Sequence, residues 1–144
     1  MAQASDMGQI HDLVKELALF EKAPKEVTTT PQMYERDLND GVFECIVAEE
    51  HDRILGIALY YIAYSTWKGK MLYLEDFVVA RSRRGQGIGK LLFDALIDKT
   101  KSKGIKRIKW QVLDWNVSAI DFYKKYNATF DRGWWNGNLF FLED

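Results

Sequence analysis

The chain has 144 residues, 47% of them hydrophobic and 28% charged, with a formal net charge of -1. That length suits one domain with a single core, and the composition excludes a mainly disordered chain. The near-neutral balance argues against a general nucleic-acid binder, which carries a basic excess, and the single cysteine, Cys45, excludes an internal disulfide framework.

From Asp6, an expected N-cap, the apolar residues Ile10, Leu13, Val14 and Leu17 recur at helical spacing. The stretch before it, Met1 to Asp6, shows no basic segment leading into an apolar run, so no secretory leader is expected. A reducing cytoplasm suits the lone thiol. Thr30-Pro31 opens a second short helix, since proline is well placed in a first turn, and Asn39-Asp40-Gly41 ends it. Phe43 to Glu49 reads as a strand, His51 to Arg53 as a turn, and Ile54 to Tyr64 as a long strand. That last run is the longest apolar one, yet it is too short for a membrane-spanning helix and rich in strand formers, so no membrane segment is expected. Lys70 to Val79 is a further strand, apolar enough to be central.

Ile88, Leu91, Leu92, Ala95 and Leu96 mark the buried stripe of the next helix, and Gly104 suits its C-terminal end. Arg107 to Leu113 alternates as a strand, and a short helix runs from about Ser118 to Tyr126. Thr129 to Trp134 and Asn138 to Leu142 read as closing strands joined at Asn136-Gly137. Consecutive strands imply antiparallel pairing and strand–helix–strand implies a parallel crossover. The expected fold is a single α/β domain over residues 1–144, a mixed, mostly antiparallel sheet with helices on both faces.

Between the central strand and the third helix lies Arg83-Arg84-Gly85-Gln86-Gly87-Ile88-Gly89-Lys90. Glycines free the backbone N–H groups to face one concave space, and a helix N-terminus adds partial positive charge, so the pattern points to an anion site. It is not a Walker loop, because Gly89-Lys90 is followed by Leu91, nor a dinucleotide fingerprint, because Lys90 stands where the third glycine belongs.

Arg84-Gly85-Gln86-Gly87-Ile88-Gly89 matches the acetyl-CoA signature of the GNAT superfamily of N-acetyltransferases, which the chain resembles nearly throughout. Tyr60-Tyr61, Trp67 to Lys70, Leu72 to Val79, Trp115-Asn116, Ala119 and Phe122 to Lys124 resemble its diamine and polyamine branch, of the spermidine/spermine type. The resemblance implies that Arg84, Gly85, Gln86, Gly87, Ile88, Gly89 and Lys90 hold the pyrophosphate of acetyl-CoA. It implies too that the backbone of Phe77, Val78 and Val79 pairs with the pantetheine arm, and that Asn116, Ser118, Ala119 and Tyr123 lie against the cofactor.

Acetyl transfer to an amine needs a held thioester, a neutral amine, a stabilised oxyanion and a protonated leaving thiolate. A phenol near pKa ~10 is able to protonate a thiolate whose conjugate acid lies near ~8.5, and the resemblance makes Tyr123 that general acid. It also makes Glu75 the group that binds the cationic amine and takes up its proton. Adjacent strand residues face opposite ways unless a bulge intervenes, so only one of Glu75 and Asp76 is expected in the amine site. Asp76 and Trp67 remain as further substrate contacts; Trp134 and Trp135 are aromatic candidates too. Cys45 reads as core packing. His11 and His51 lack metal-ligand spacing and read as surface residues, so no metal is expected. The implied reaction moves an acetyl group from acetyl-CoA to a small cationic amine, leaving coenzyme A. The resemblance also carries the expectation of a homodimer. A peptide or protein amine as acceptor, or a non-catalytic acyl-CoA binding module, stay open as alternatives.

Overall fold

A computed structural model describes residues 1–141. The chain divides into two compact units, Met1–Gln111 and a second that begins at Val112. No helix of the described residues is long and apolar enough to cross a membrane.

The first unit opens with a 3-10 turn, Ala4–Asp6, and helix α1, Met7–Phe20, then a second 3-10 turn, Pro24–Glu26, and helix α2, Pro31–Asn39. Asp6 stands at the N-cap of α1, but its carboxylate accepts the Gln3 N–H at 2.8 Å and braces the preceding turn instead. Thr30 caps α2 as expected, its Oγ1 accepting the Met33 N–H at 3.2 Å, with Pro31 in the first turn. Gly41, at φ 74°, lets the chain leave the helix in the left-handed region.

Strands β1, Glu44–Glu50, β2, Arg53–Ser65, and β3, Gly69–Val79, form an antiparallel meander. The β1–β2 turn places His51 and Asp52 at φ 51° and 63°, the two positive values that a tight hairpin with right-handed strand twist requires. After a 3-10 turn, Arg81–Arg83, helix α3, Ile88–Ser102, crosses back to β4, Ile108–Trp110, which pairs parallel to β3. The sheet order is β1-β2-β3-β4.

Helices cover both faces. On one, Met7, Ile10 and Leu13 of α1 pack with Cys45, Ile57, Leu59 and Val78; on the other, Ile88 and Leu92 of α3 pack with Leu55, Ile46, Ala48, Phe77 and Val79. Each such Ile, Leu or Val contributes about 1.5–3 kcal/mol by leaving water. Two bulges interrupt the pleat. Ala48 pairs with Gly56 and Glu49 with Ile54, so Leu55 is the extra residue of β2; Leu55 and Gly56 then both face α3. Gly56 is where α3 comes closest: a Cβ there would lie 2.9 Å from Leu92 Cδ1 and 3.1 Å from the Val78 carbonyl oxygen. The second bulge, in β3, belongs to the candidate site.

In the second unit α4, Val117–Lys124, is the one helix among the described residues. It is followed by Asn127 at φ 61°, which ends the helical path. Here the structure corrects two expectations. Strand β4 covers only Ile108–Trp110 of the expected 107–113, and the expected strands at 129–134 and 138–142 do not form within the described residues; Leu142 lies outside them. Strand-forming composition needs a neighbouring strand to pair with, and the four-stranded sheet does not extend to these segments.

Candidate functional site

The glycine loop starts from the end of β3, where the Ala80 N–H donates to the Leu55 carbonyl at 2.7 Å. Gly85 and Gly87 adopt φ 76° and 82°, and Gly87 is the N-cap of α3. Neither site is crowded, so it is backbone conformation that calls for glycine there. The first helical bond is Leu91 N–H to Gly87 carbonyl, 3.2 Å. The N–H groups of Ile88, Gly89 and Lys90 therefore precede the ladder, and Gly87 has no side chain to cap them.

The basic side chains of the loop are occupied by the protein itself. Arg83 Nε donates to Gln86 Oε1 at 3.0 Å and Nη2 to Glu50 Oε2 at 2.9 Å. Arg84 Nε donates to the Val79 carbonyl at 3.3 Å while its guanidinium lies 5.5 Å from the Phe20 ring centroid. Lys90 Nζ is paired with Asp94 Oδ2 at 2.6 Å. Those contacts brace the loop. An anion is thus offered main-chain N–H groups and the positive end of a 15-residue helix.

Beside the loop, β4 pairs with Leu72, Tyr73 and Leu74 and stops. Phe77, Val78 and Val79 continue β3 past that point, paired to Ala58, Ile57 and Gly56 of β2 on their other side. Among the described residues no strand of the sheet lies alongside them where β4 has ended.

Glu75 is the extra residue of the second bulge: Leu59 pairs with Asp76 and Tyr60 with Leu74. Leu59 and Tyr61 share the α1 face of β2, so their partners Asp76 and Tyr73 share it on β3, and Glu75, two residues beyond Tyr73, joins them. The simple alternation expected from the sequence fails here, and both carboxylates face the same side. Burial pushes the Asp76 carboxyl up to about 6, with the charges of Glu75 and Glu21 adding to it. Glu21, at the end of α1, is itself raised by burial.

Aromatic rings surround this pair. Tyr61 and Tyr73 stack at 5.2 Å, and each phenol is raised by burial first and by the charge of Glu75 second. Tyr34 of α2 is raised by burial, and the Asp76 charge also contributes. Cys45 feels the same charge and, chiefly through burial, is pushed up to about 12. It is an inert core thiol, as the sequence suggests.

His11 corrects the surface reading: it is 7% exposed, its Nε2 lies 2.7 Å from the Thr29 carbonyl, and its ring meets Tyr34 edge-on at 5.2 Å. Packed in this way, it ties the α1–α2 connection to Tyr34. Its place in the apolar stripe, one residue after Ile10, was the available signal. Tyr34 gave none, being a lone aromatic in a polar helix. His51 is in the β1–β2 turn and is exposed. Trp67 is 85% exposed in the β2–β3 turn, where its N–H donates to Ser65 Oγ at 3.2 Å.

In the second unit, Asn116 is the N-cap of α4, its Oδ1 accepting the Ala119 N–H at 3.2 Å, with Ser118 in the first turn. Tyr123 is buried, its ring 5.6 Å from that of Phe122 in an edge-on arrangement. Trp134 and Trp135 are exposed.

Comparison with known proteins bears on this arrangement. Residues 9–128 match the model of the acetyltransferase (GNAT) family. The chain is similar to the thialysine N-epsilon-acetyltransferase of Mus musculus, 36% identical over 92% of this chain and 86% of that one. It is also similar to the spermidine/spermine N(1)-acetyltransferase-like protein 1 of Homo sapiens, 31% identical over 92% of this chain and 21% of that one. Among solved structures, a tetramutant of the BH1408 protein from Bacillus halodurans shares the fold, with a TM-score of 0.78 at 24% identity over 96% of this chain and 97% of that one.

Proposed function

The chain belongs to the GNAT family of acetyltransferases, and on that premise we propose that it moves an acetyl group from acetyl-CoA to a primary amine of a small cationic molecule: a polyamine, a diamine or a lysine-like amine. The observation that carries the cationic acceptor is the β3 bulge, which turns Glu75 and Asp76 to one face with Glu21 close enough to raise Asp76. Relatives named for thialysine, spermidine/spermine and ornithine acetylation support the same class.

The residues present fit acetyl-CoA. The uncapped N–H groups at the start of α3 suit a pyrophosphate, with Arg84, Gly85, Gln86, Gly87, Ile88, Gly89 and Lys90 forming the seat. Backbone groups of Phe77, Val78 and Val79 suit an extended pantetheine arm, and an N–H of that edge is the donor for negative charge developing on the acyl oxygen. When bound, acetyl-CoA supplies an activated acyl group as its thioester.

A primary ammonium near pKa ~10 reaches neutral pH protonated and is drawn to carboxylates. Glu75, the more exposed of the pair, binds it and receives its proton, directly or through water; Asp76 holds the charge from beneath. The face of Trp67 is an outer contact for the same cation. The family resemblance makes Asn116, Ser118 and Ala119 cofactor contacts and Tyr123 the acid that protonates the leaving thiolate. The family match crosses from one unit into the other, which supports reading 1–144 as one acetyltransferase domain. A cytoplasmic homodimer is the remaining part of this reading.

The test is a panel of amines with acetyl-CoA, read by free-thiol release. Polyamines, diamines and lysine-like amines should turn over, and peptides should not outcompete them. Tyr123→Phe should lower kcat by about 10²–10⁴-fold while cofactor affinity holds. Release no faster than background with every amine sinks the proposal.

A further inference from the structure

One buried polar residue is given no task by acetyl transfer. His11 stands in the apolar stripe of α1, on the same face as Met7 and Val14, where a leucine would pack at less cost. A buried imidazole is unfavourable unless its N–H is met, and here a single group meets it: the Thr29 carbonyl, 2.7 Å from Nε2. A carbonyl only accepts, so Nε2 carries the hydrogen and donates it.

What that bond holds is the connection from Glu21 to Thr30. Lys22 turns the chain out of α1 at φ 63°. From Pro24 to Thr29, the hydrogen bonds to α1 and α2 both pass through Thr29: its carbonyl takes the His11 N–H, and its hydroxyl donates to the Tyr34 phenol at 3.4 Å. Tyr34 in turn meets His11 edge-on at 5.2 Å and Phe43 edge-on at 6.3 Å. It packs on the core cluster that contains Leu59, the β2 residue paired with Asp76, and Leu17, just before the connection, packs on the same cluster. Both ends of the connection are thus seated on the face that Glu75 and Asp76 share. They lie within electrostatic reach of it as well. After burial, the charges of Glu75 and Glu21 raise the Asp76 carboxyl; after burial, and against the Thr29 hydrogen bond, the charge of Asp76 raises Tyr34.

We propose that His11 is a positioning residue for the amine site, its bond to the Thr29 carbonyl fixing the α1–α2 connection and, with it, the stance of Glu21 and Tyr34 beside Asp76. The inference rests on the acceptor reading above and adds the residue that preorganises that site. An untied connection leaves the acid cluster correctly formed for only part of the time, and the apparent amine affinity falls by that fraction. The loop proposed to seat the cofactor gains nothing from the bond, since it leads into α3 on the opposite face of the sheet.

The test is steady-state kinetics of the full chain with a diamine and acetyl-CoA, beside trypsin digestion of the native protein, which reads opening of the connection at Lys22 and Lys25. His11→Leu suits the stripe and removes the donor; His11→Gln returns an N–H donor. His11→Leu should raise the amine KM about three- to tenfold, the worth of one hydrogen bond, with kcat within about twofold and the acetyl-CoA KM unchanged. Cleavage at the two lysines should quicken by a like factor, and His11→Gln should recover most of both. A merely structural role would lower kcat and both affinities together, which overturns the inference. His11→Leu with the wild-type amine KM also overturns it and leaves the acceptor reading standing. A wild type that turns over no amine removes the acceptor reading and this inference with it. Should far-UV circular dichroism show His11→Leu unfolded, Tyr34→Phe is measured instead: it breaks the other tie of Thr29, and an amine KM raised less than about twofold overturns the inference.

Discussion

Asp76 is held with its carboxyl pushed up to about 6, first by burial and then by Glu75 and Glu21. An aspartate in an unfolded chain titrates near ~3.9, so the folded protein binds this proton more tightly. Ionising Asp76 therefore costs stability as pH rises from about 4 through about 6, and below that window the cost is absent. Asp76→Asn should accordingly stabilise the free protein by about 1–3 kcal/mol near pH 7 and by nothing below about pH 4, as denaturant melts at the two pH values will show. The same variant should raise KM for the amine at least about tenfold, because a buried ion pair loses one partner. Both acids were legible in the sequence as candidates. Their shared face was not, because a bulge is set by how two strands come into register and leaves no mark in one strand's composition. His11 shows the converse: its position in the α1 stripe foretold burial, while its residue type suggested surface.

Elements were read more securely than their ends. Helices α1, α2 and α3 were announced by apolar spacing, by Thr30-Pro31 and by Gly104, and β1 to β3 by their composition. β4 was announced by its alternation but is shorter than expected, and the two expected closing strands do not form among the described residues, since a short strand exists only by virtue of a neighbour, and neighbours are a property of the sheet. The contact between β2 and α3 gives an element-scale prediction. Gly56→Ala would set a methyl group 2.9 Å from Leu92 Cδ1 and 3.1 Å from the Val78 carbonyl oxygen. Leu92 could turn aside, but the Val78 carbonyl must give by a few tenths of an ångström, which shifts β3 against β2. Overpacking of this kind costs about 1–3 kcal/mol, measurable as a lower denaturation midpoint. Because the loop proposed to seat the cofactor follows directly on β3, cofactor affinity should fall with it.

For the molecule as a whole, the proposed seat at the N-terminus of α3 implies that filling it favours the folded state. Coenzyme A at about a hundred times its dissociation constant should add about 2.7 kcal/mol of stability, seen as a raised Tm; an unchanged Tm would remove the cofactor seat from the account. The glycine turn into α3 was the part of the candidate site most plainly written in the sequence, since glycines at 85 and 87 take the positive φ that the entry to the helix requires. That its basic side chains brace the loop from within shows only in the fold. The bulge in β3 has a further corollary. Leu74 opposite Tyr60 and Asp76 opposite Leu59 are consecutive rungs, so Glu75 stands outside the count that keeps the sheet in phase. Excising that one residue would leave every other rung where it is and yield an unkinked strand. The carboxylate proposed to attract the cation is thus borne by the one residue of β3 that the pairing with β2 leaves out of register.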